Sequence, residues 1–226
     1  NGCLIESTKE EKDLGVWIEE DLRSTKQCRT AAQSANWALG EKMRSFHFRK
    51  ASCLVPLYKS FVRPKLEHAV ASWSPWLEGD KETLEKVQKQ LIRNISDKVS
   101  ATYEERLESV GLTTLSERRE RGDVIEAFKT VNGFNNVNKN DWFVFRDATM
   151  RATRATVDVH EGEQRERKDV MFMSNVRLES RKHFYTVRVV NSWNQIPCEV
   201  KNQKTLNAFK NKYDEWRRQE KAKEKQ

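Results

Sequence analysis

The residues able to do chemistry are few and scattered. The densest carboxylate group is Glu19, Glu20 and Asp21. Two-metal phosphoryl chemistry needs carboxylates held together around both ions, but an acid run at the end of a charged loop reads first as solvated surface. The four histidines, His47, His68, His160 and His183, stand apart in sequence. Cys53 with His47 or His68 would form a nucleophile–base pair if they met in space, yet nothing beside either group marks the thiol as activated. No phosphate-binding glycine loop, nucleophile elbow, zinc-protease helix or zinc-deaminase pattern occurs.

The cations carry more. Arg44, Arg49, Lys50, Lys59, Arg63 and Lys65 lie around one predicted helical turn and the polar face of the helix after it. Such a surface can track a phosphate backbone without reading bases. A second group is Arg177, Arg181, Lys182 and Arg188, with Phe184 and Tyr185 interleaved. The spacing of Arg177, Arg181 and Arg188 predicts one shared helix face. Trp73 and Trp76 read as packing anchors at a helix end, with base stacking the minor alternative.

The charge is unevenly placed. The net charge is +8, and residues 164–226 hold 16 Lys or Arg against 8 Asp or Glu, while residues 1–163 hold 26 of each. An anionic partner such as nucleic acid and a merely solvated basic end stay level on charge alone.

The elements that position these groups are predicted to be mainly helical. The chain has 226 residues, 34% of them charged and only eight glycines, which suits one or two helical domains. Cys3, Cys28, Cys53 and Cys198 are far apart and read as reduced thiols of an intracellular protein. No apolar run is long enough for a membrane span and no leader pattern opens the chain. It begins at Asn1 and reads as a piece of something longer.

Leu14–Ile18 reads as a short strand, interrupted by Gly15 and paired with Cys3–Ile5. Ser24 and Gln27 predict a capping box opening a first helix. Leu54 to Trp73 follows helical spacing, with a kink expected at Pro64 and a stop at Pro75. Leu84 to Ile95 completes three packed helices. Thr102 with Glu105, and Thr114 with Glu117, predict two more capping boxes, their helices ending at Gly111 and Gly133. Residues 134–173 read as loop and weak strand. Helix is expected again from Asn175 to Trp193, then an NQIP turn, then a last helix capped by Thr205.

Several stretches together resemble one family. EKDLGVWI (11–18), PLYKSFVRPKLEHAVASWSPW (56–76), LEKVQKQLIR (84–93), ATYEERL (101–107), GLTTLSERRERGDVIEAFK (111–129) and RKHFYTVRVVNSWNQIPCEV (181–200) with NAFK (207–210) are similar to the C-terminal part of the endonuclease/reverse transcriptase of non-LTR retrotransposons, the jockey-like or chicken-repeat-like group. The resemblance runs in order over nearly the whole chain. It implies a palm edge at 1–23, with Leu14 and Gly15 resembling a primer-grip segment. It implies a thumb-like bundle at 24–98, a helical extension at 99–133, a linker at 134–173 and a basic helical region at 174–226.

The implied partners are RNA and DNA as template–primer and the palm that this chain lacks, in the nucleus and cytoplasm. The family's Tyr-x-Asp-Asp motif is absent. The resemblance therefore implies a fragment without cofactor or catalysis, whereas the parent polymerase uses Mg. Position 68 is His where relatives carry Tyr, and 134–173 matches most loosely. The alternative expectation is a protein-interaction module, a decayed or domesticated remnant.

Overall fold

The structure, a computed structural model, describes residues 7–46, 49–95, 102–145, 170–172 and 175–224. It is mainly helical with a small antiparallel two-stranded sheet near the N-terminus, as the sequence predicts. The chain divides into two compact units, Asn1–Arg119 and Glu120–Gln226. Among the described residues no helix is long and apolar enough to cross a membrane.

The first unit opens with a hairpin of β1 (Glu10–Asp13) and β2 (Val16–Glu19), with Asp13 opposite Val16. Leu14 and Gly15 are the two-residue turn and not the interior of a strand. Their φ values are 45° and 88°, the double positive pair that matches the twist of hairpin strands. Gly15 takes this backbone freely, whereas a leucine there is strained. The expected partner, Cys3–Ile5, lies outside the described residues.

Helix α1 (Thr25–Ser45) buries Cys28, Ala31, Ala32, Ala35, Ala38 and Leu39. These small side chains let α3 (Arg63–Glu67) and α5 (Glu78–Asn94) pack closely on it. The capping box of Ser24 and Gln27 does not form. The hairpin supplies a charged acceptor instead: Glu19 Oε2 accepts the Lys26 amide at 2.9 Å. Gln27 Oε1 is drawn to the Trp17 amide at 3.0 Å. That bond also closes the outer edge of β2.

The helix expected over 54–73 is broken into pieces. Leu54, Tyr58, Val62 and Leu66 are all buried and all four apart. In a regular α-helix each such step overshoots a turn by about 40°, so three steps would carry the row about 120° off the core. A π turn over Tyr58–Val62 joins α2 (Ala51–Leu57) to α3, and the Arg63 amide bonds Tyr58 O, five residues back. The wider turn keeps the row facing inward and leaves room where the Pro64 ring would press on the Ser60 carbonyl.

The second break falls after α3, where Ala69 is left-handed at φ 50°. The Trp73 indole, buried at the end of α4 (Val70–Trp73), donates to His68 O at 2.8 Å and so satisfies a carbonyl freed there. Trp73 is thus the packing anchor the sequence suggests.

Helix α6 (Tyr103–Ser109) carries the predicted capping box, Thr102 amide to Glu105 Oε2 at 2.8 Å and Glu105 amide to Thr102 Oγ1 at 3.4 Å. Thr114 Oγ1 accepts the Glu117 amide at the start of α7 (Leu115–Val131). A polar network inside this unit ties the pieces together. Tyr58 donates to Gln88 Oε1 at 2.8 Å, Gln88 Nε2 donates to Thr113 O at 3.0 Å, and Glu85 accepts from Gln88, Tyr103 and the Leu115 amide. Burial, then Glu85, holds the Tyr58 phenol well above its usual range.

The second unit takes up α7 beyond Arg119, then α8 (Lys139–Trp142), α9 (Glu179–Lys182), α10 (Tyr185–Gln195), α11 (Cys198–Lys201) and α12 (Leu206–Glu224). Helix α7 stops as predicted at Gly133, φ 70°, with the Phe134 amide on Lys129 O at 2.8 Å. Phe128 stacks on Phe209 at 4.0 Å in a core with Val189, Val190, Trp193 and Ile196. Thr205 caps α12 through the Ala208 amide at 3.2 Å.

Phe145 and Met171 form a single antiparallel bridge, and Asn194 holds Met171 by both its amide and its carbonyl. The weak strand expected beyond Phe145 lies outside the described residues. The helix expected from Asn175 starts later and breaks at His183–Phe184, giving α9 and α10. Beyond the NQIP segment, Pro197 caps the further short helix α11.

Candidate nucleic-acid interface

Not all the cations expected on the first unit's surface are available. Arg44, Lys50 and Lys65 are exposed and, among the described residues, have no charged partner. Arg44 lies in the last turn of α1, where a cation complements the helix dipole. Lys50 precedes α2, and Lys65 stands outside the Leu66 row on α3. Arg49 is exposed but donates to Asn94 Oδ1 at 2.9 Å. Lys59, on the π turn, reaches Gly111 O at 3.5 Å.

Arg63 turns inward, contrary to the sequence reading. It lies 3.8 Å from Glu67, whose carboxylate also takes both nitrogens of an Arg118 fork. Burial, then the Arg118 charge, pulls the Arg63 guanidinium below its usual range. Its role is to share Glu67 and fix α3.

The solvent face of α1 is the feature that cation counting misses. Trp37 is 65% exposed on a rigid helix. Thr30, Gln33, Gly40, Glu41 and Arg44 lie in line with it at steps of three or four, so this face carries hydrogen-bonding groups, one ring, one cation and one carboxylate, Glu41, which lies 3.7 Å from Lys42. The Arg44 guanidinium folds back along the helix to within 3.6 Å of where a Cβ on Gly40 would stand. Beside the row, Lys42 lies 4.7 Å above the half-exposed Phe61 ring. Trp37 was legible in principle, because it is out of phase with Cys28, Ala31, Ala35 and Leu39.

The second basic group is not one helix face. Arg177 precedes α9, Arg181 and Lys182 sit on it, and Arg188 is on α10. Arg188 is turned inward and only 17% exposed, gripping both oxygens of buried Asp123 at 2.8 Å each and His183 O at 3.1 Å. The chain breaks at Phe184 because Tyr185 and Val187 are buried while Phe184 is left outside. Arg181 covers the Phe184 ring at 5.0 Å, and Lys182 pairs with Glu179.

The remaining candidates are structural. Leu14 stands at the hairpin tip, 89% exposed, and its carbonyl lies 3.4 Å from His68 Nε2. Glu19 is occupied by the Lys26 amide, and Asp21 accepts the Arg23 amide at 3.0 Å. His47 and His160 lie outside the described residues. Cys53 is half-buried in α2, whereas buried Cys28 is pushed up to about 12 by desolvation.

Comparison with protein-family models, with curated proteins and with solved structures returned no match.

Proposed function

We propose that this chain is a non-catalytic nucleic-acid clamp, the thumb and C-terminal region of a polymerase resembling the non-LTR reverse transcriptases. The observation that carries the reading is the solvent face of α1, an exposed Trp37 beside Gln33, Gly40 and Arg44, with the carboxylate of that face, Glu41, paired with Lys42. Lys50 and Lys65 add cations that no acid among the described residues neutralises. Phosphates are gripped by these cations while the packed helices hold the shape, so sequence specificity is low. Catalysis, and the Mg that supports it, belongs to the parent's palm.

The test is a titration of the chain against an RNA–DNA hybrid duplex and single-stranded RNA at two salt concentrations. Salt-sensitive, sequence-independent binding is expected, with no primer extension when deoxynucleotides and Mg are supplied. Absence of binding at low salt overturns the reading.

A second reading, docking on another protein such as the missing palm, is favoured by one observation. Leu14, Ile18 and Leu22 of the hairpin region are all exposed. If this surface docks, Leu14→Glu releases a palm fragment while leaving nucleic-acid binding intact.

A further inference from the structure

We infer that the second unit carries its own site for single-stranded nucleic acid, built on aromatic rings around Tyr185. Tyr185 is buried and receives Trp142 edge-on at 6.1 Å and Phe143 at 6.0 Å. Phe143 is in the core, but Trp142 is 42% exposed, and Phe184, the chain neighbour of Tyr185, is 45% exposed. The Trp142 ring is therefore anchored on a buried neighbour and open to solvent, and the Phe184 ring is open to solvent beside Arg181.

Their surroundings are cationic. Arg181 lies over the Phe184 ring, Lys182 and Arg177 are exposed nearby in the chain, and Lys139 opens the short helix that ends in Trp142. Along 139–142 and 177–184 these four cations stand against two carboxylates, Asp141 and Glu179, the latter paired with Lys182, while Asp123 and Glu126 near Tyr185 are held by Arg188 and Lys129. Fixed, half-open rings beside cations suit unstacked bases on a phosphate chain, because every base offers a π face. A duplex hides those faces in its own stack. An acidic peptide would use the cations and leave the rings idle. This inference does not depend on the clamp assigned to α1.

The test uses the full chain and three probes: an oligothymidylate of about twelve nucleotides, an abasic strand of the same length, and an oligoglutamate. Oligothymidylate is expected to bind about tenfold or more tighter than the abasic strand, since stacking supplies the difference. Trp142→Leu and Phe184→Leu keep apolar bulk but remove the ring, and each is expected to shrink that ratio several-fold. Arg181→Gln is expected to weaken both strands.

A ratio unchanged in both leucine variants overturns the inference. So does oligoglutamate binding as tightly as oligothymidylate. If Trp37→Leu alone collapses the ratio, the stacking site is on α1 and the inference again fails. Loss of hybrid-duplex binding with the ratio preserved would instead overturn the clamp and leave this site standing.

Discussion

The sharpest consequence of the first unit's geometry is that its cations are not equivalent. Among the described residues Arg44, Lys50 and Lys65 are exposed without a charged partner, whereas Arg63 shares Glu67 with Arg118. Removing one cation that neutralises a phosphate lowers the log–log salt slope by about 0.9. At about 0.1 M salt, one decade below a 1 M reference, that is about eightfold in affinity per phosphate. The triple variant Arg44→Gln, Lys50→Gln, Lys65→Gln should then lose about 2.7 in slope and about 500-fold in affinity for a hybrid duplex. Arg63→Gln should leave the slope unchanged and lower stability, since it removes one of two cations from Glu67. The assay is fluorescence anisotropy across salt, beside urea melts. A triple variant with the parental slope refutes the reasoning. So does an Arg63 variant that loses slope as Lys50→Gln does.

Leu14→Asn should stabilise the chain by about 1 kcal/mol, because asparagine tolerates the positive φ that leucine resists; thermal melts measure it, and a lower Tm would show that the exposed leucine is not strained. Glu85→Ala should cost about 3 kcal/mol by stranding the Leu115 amide and the donors of Gln88 and Tyr103. In a Tyr103→Phe background the same change should cost less, and equal losses in urea melts would mean that the network is not coupled. Cys28 keeps its proton in the fold to about pH 12 against an ordinary 9.0. Its contribution is therefore complete below pH 9 and falls as pH rises, by about 1.4 kcal/mol per unit. Stability curves from pH 8 to 11 should flatten in Cys28→Ala, and the native thiol should resist alkylation at pH 8.

Helices with one clean phase and a local cap were legible in the sequence. The stops at Gly111 and Gly133, the Thr102 box and the Thr205 cap all depend on residues within one turn of each other. What could not be read depended on partners far along the chain. The Ser24 box lost to Glu19, which reaches the helix only because the hairpin folds back. Arg63 and Arg188 scan as surface cations, and only the fold brings Glu67 and Asp123 to them. The π turn left a trace, a buried row spaced by four without drift, but that row also fits an ordinary helix with one imperfect side. For the α1 face the signal was phase and not charge: Trp37 is the large ring on the wrong side.

The π turn also has a meaning for how this chain can vary. Its purpose at Tyr58–Val62 is to hold one residue more than a regular coil would. Chemistry at the exposed Ser60 is nearly free, while the count is tied to Pro64. A lineage could replace that serine with almost anything and keep Leu66 seated. Losing it would close the π turn into regular helix, in which Leu54 and Leu66, then eleven residues apart, still face the core to within about 20°, but the Pro64 ring would press on the carbonyl four residues back. In this stretch the extra residue serves the proline, and single-residue deletions among relatives should coincide with loss of Pro64.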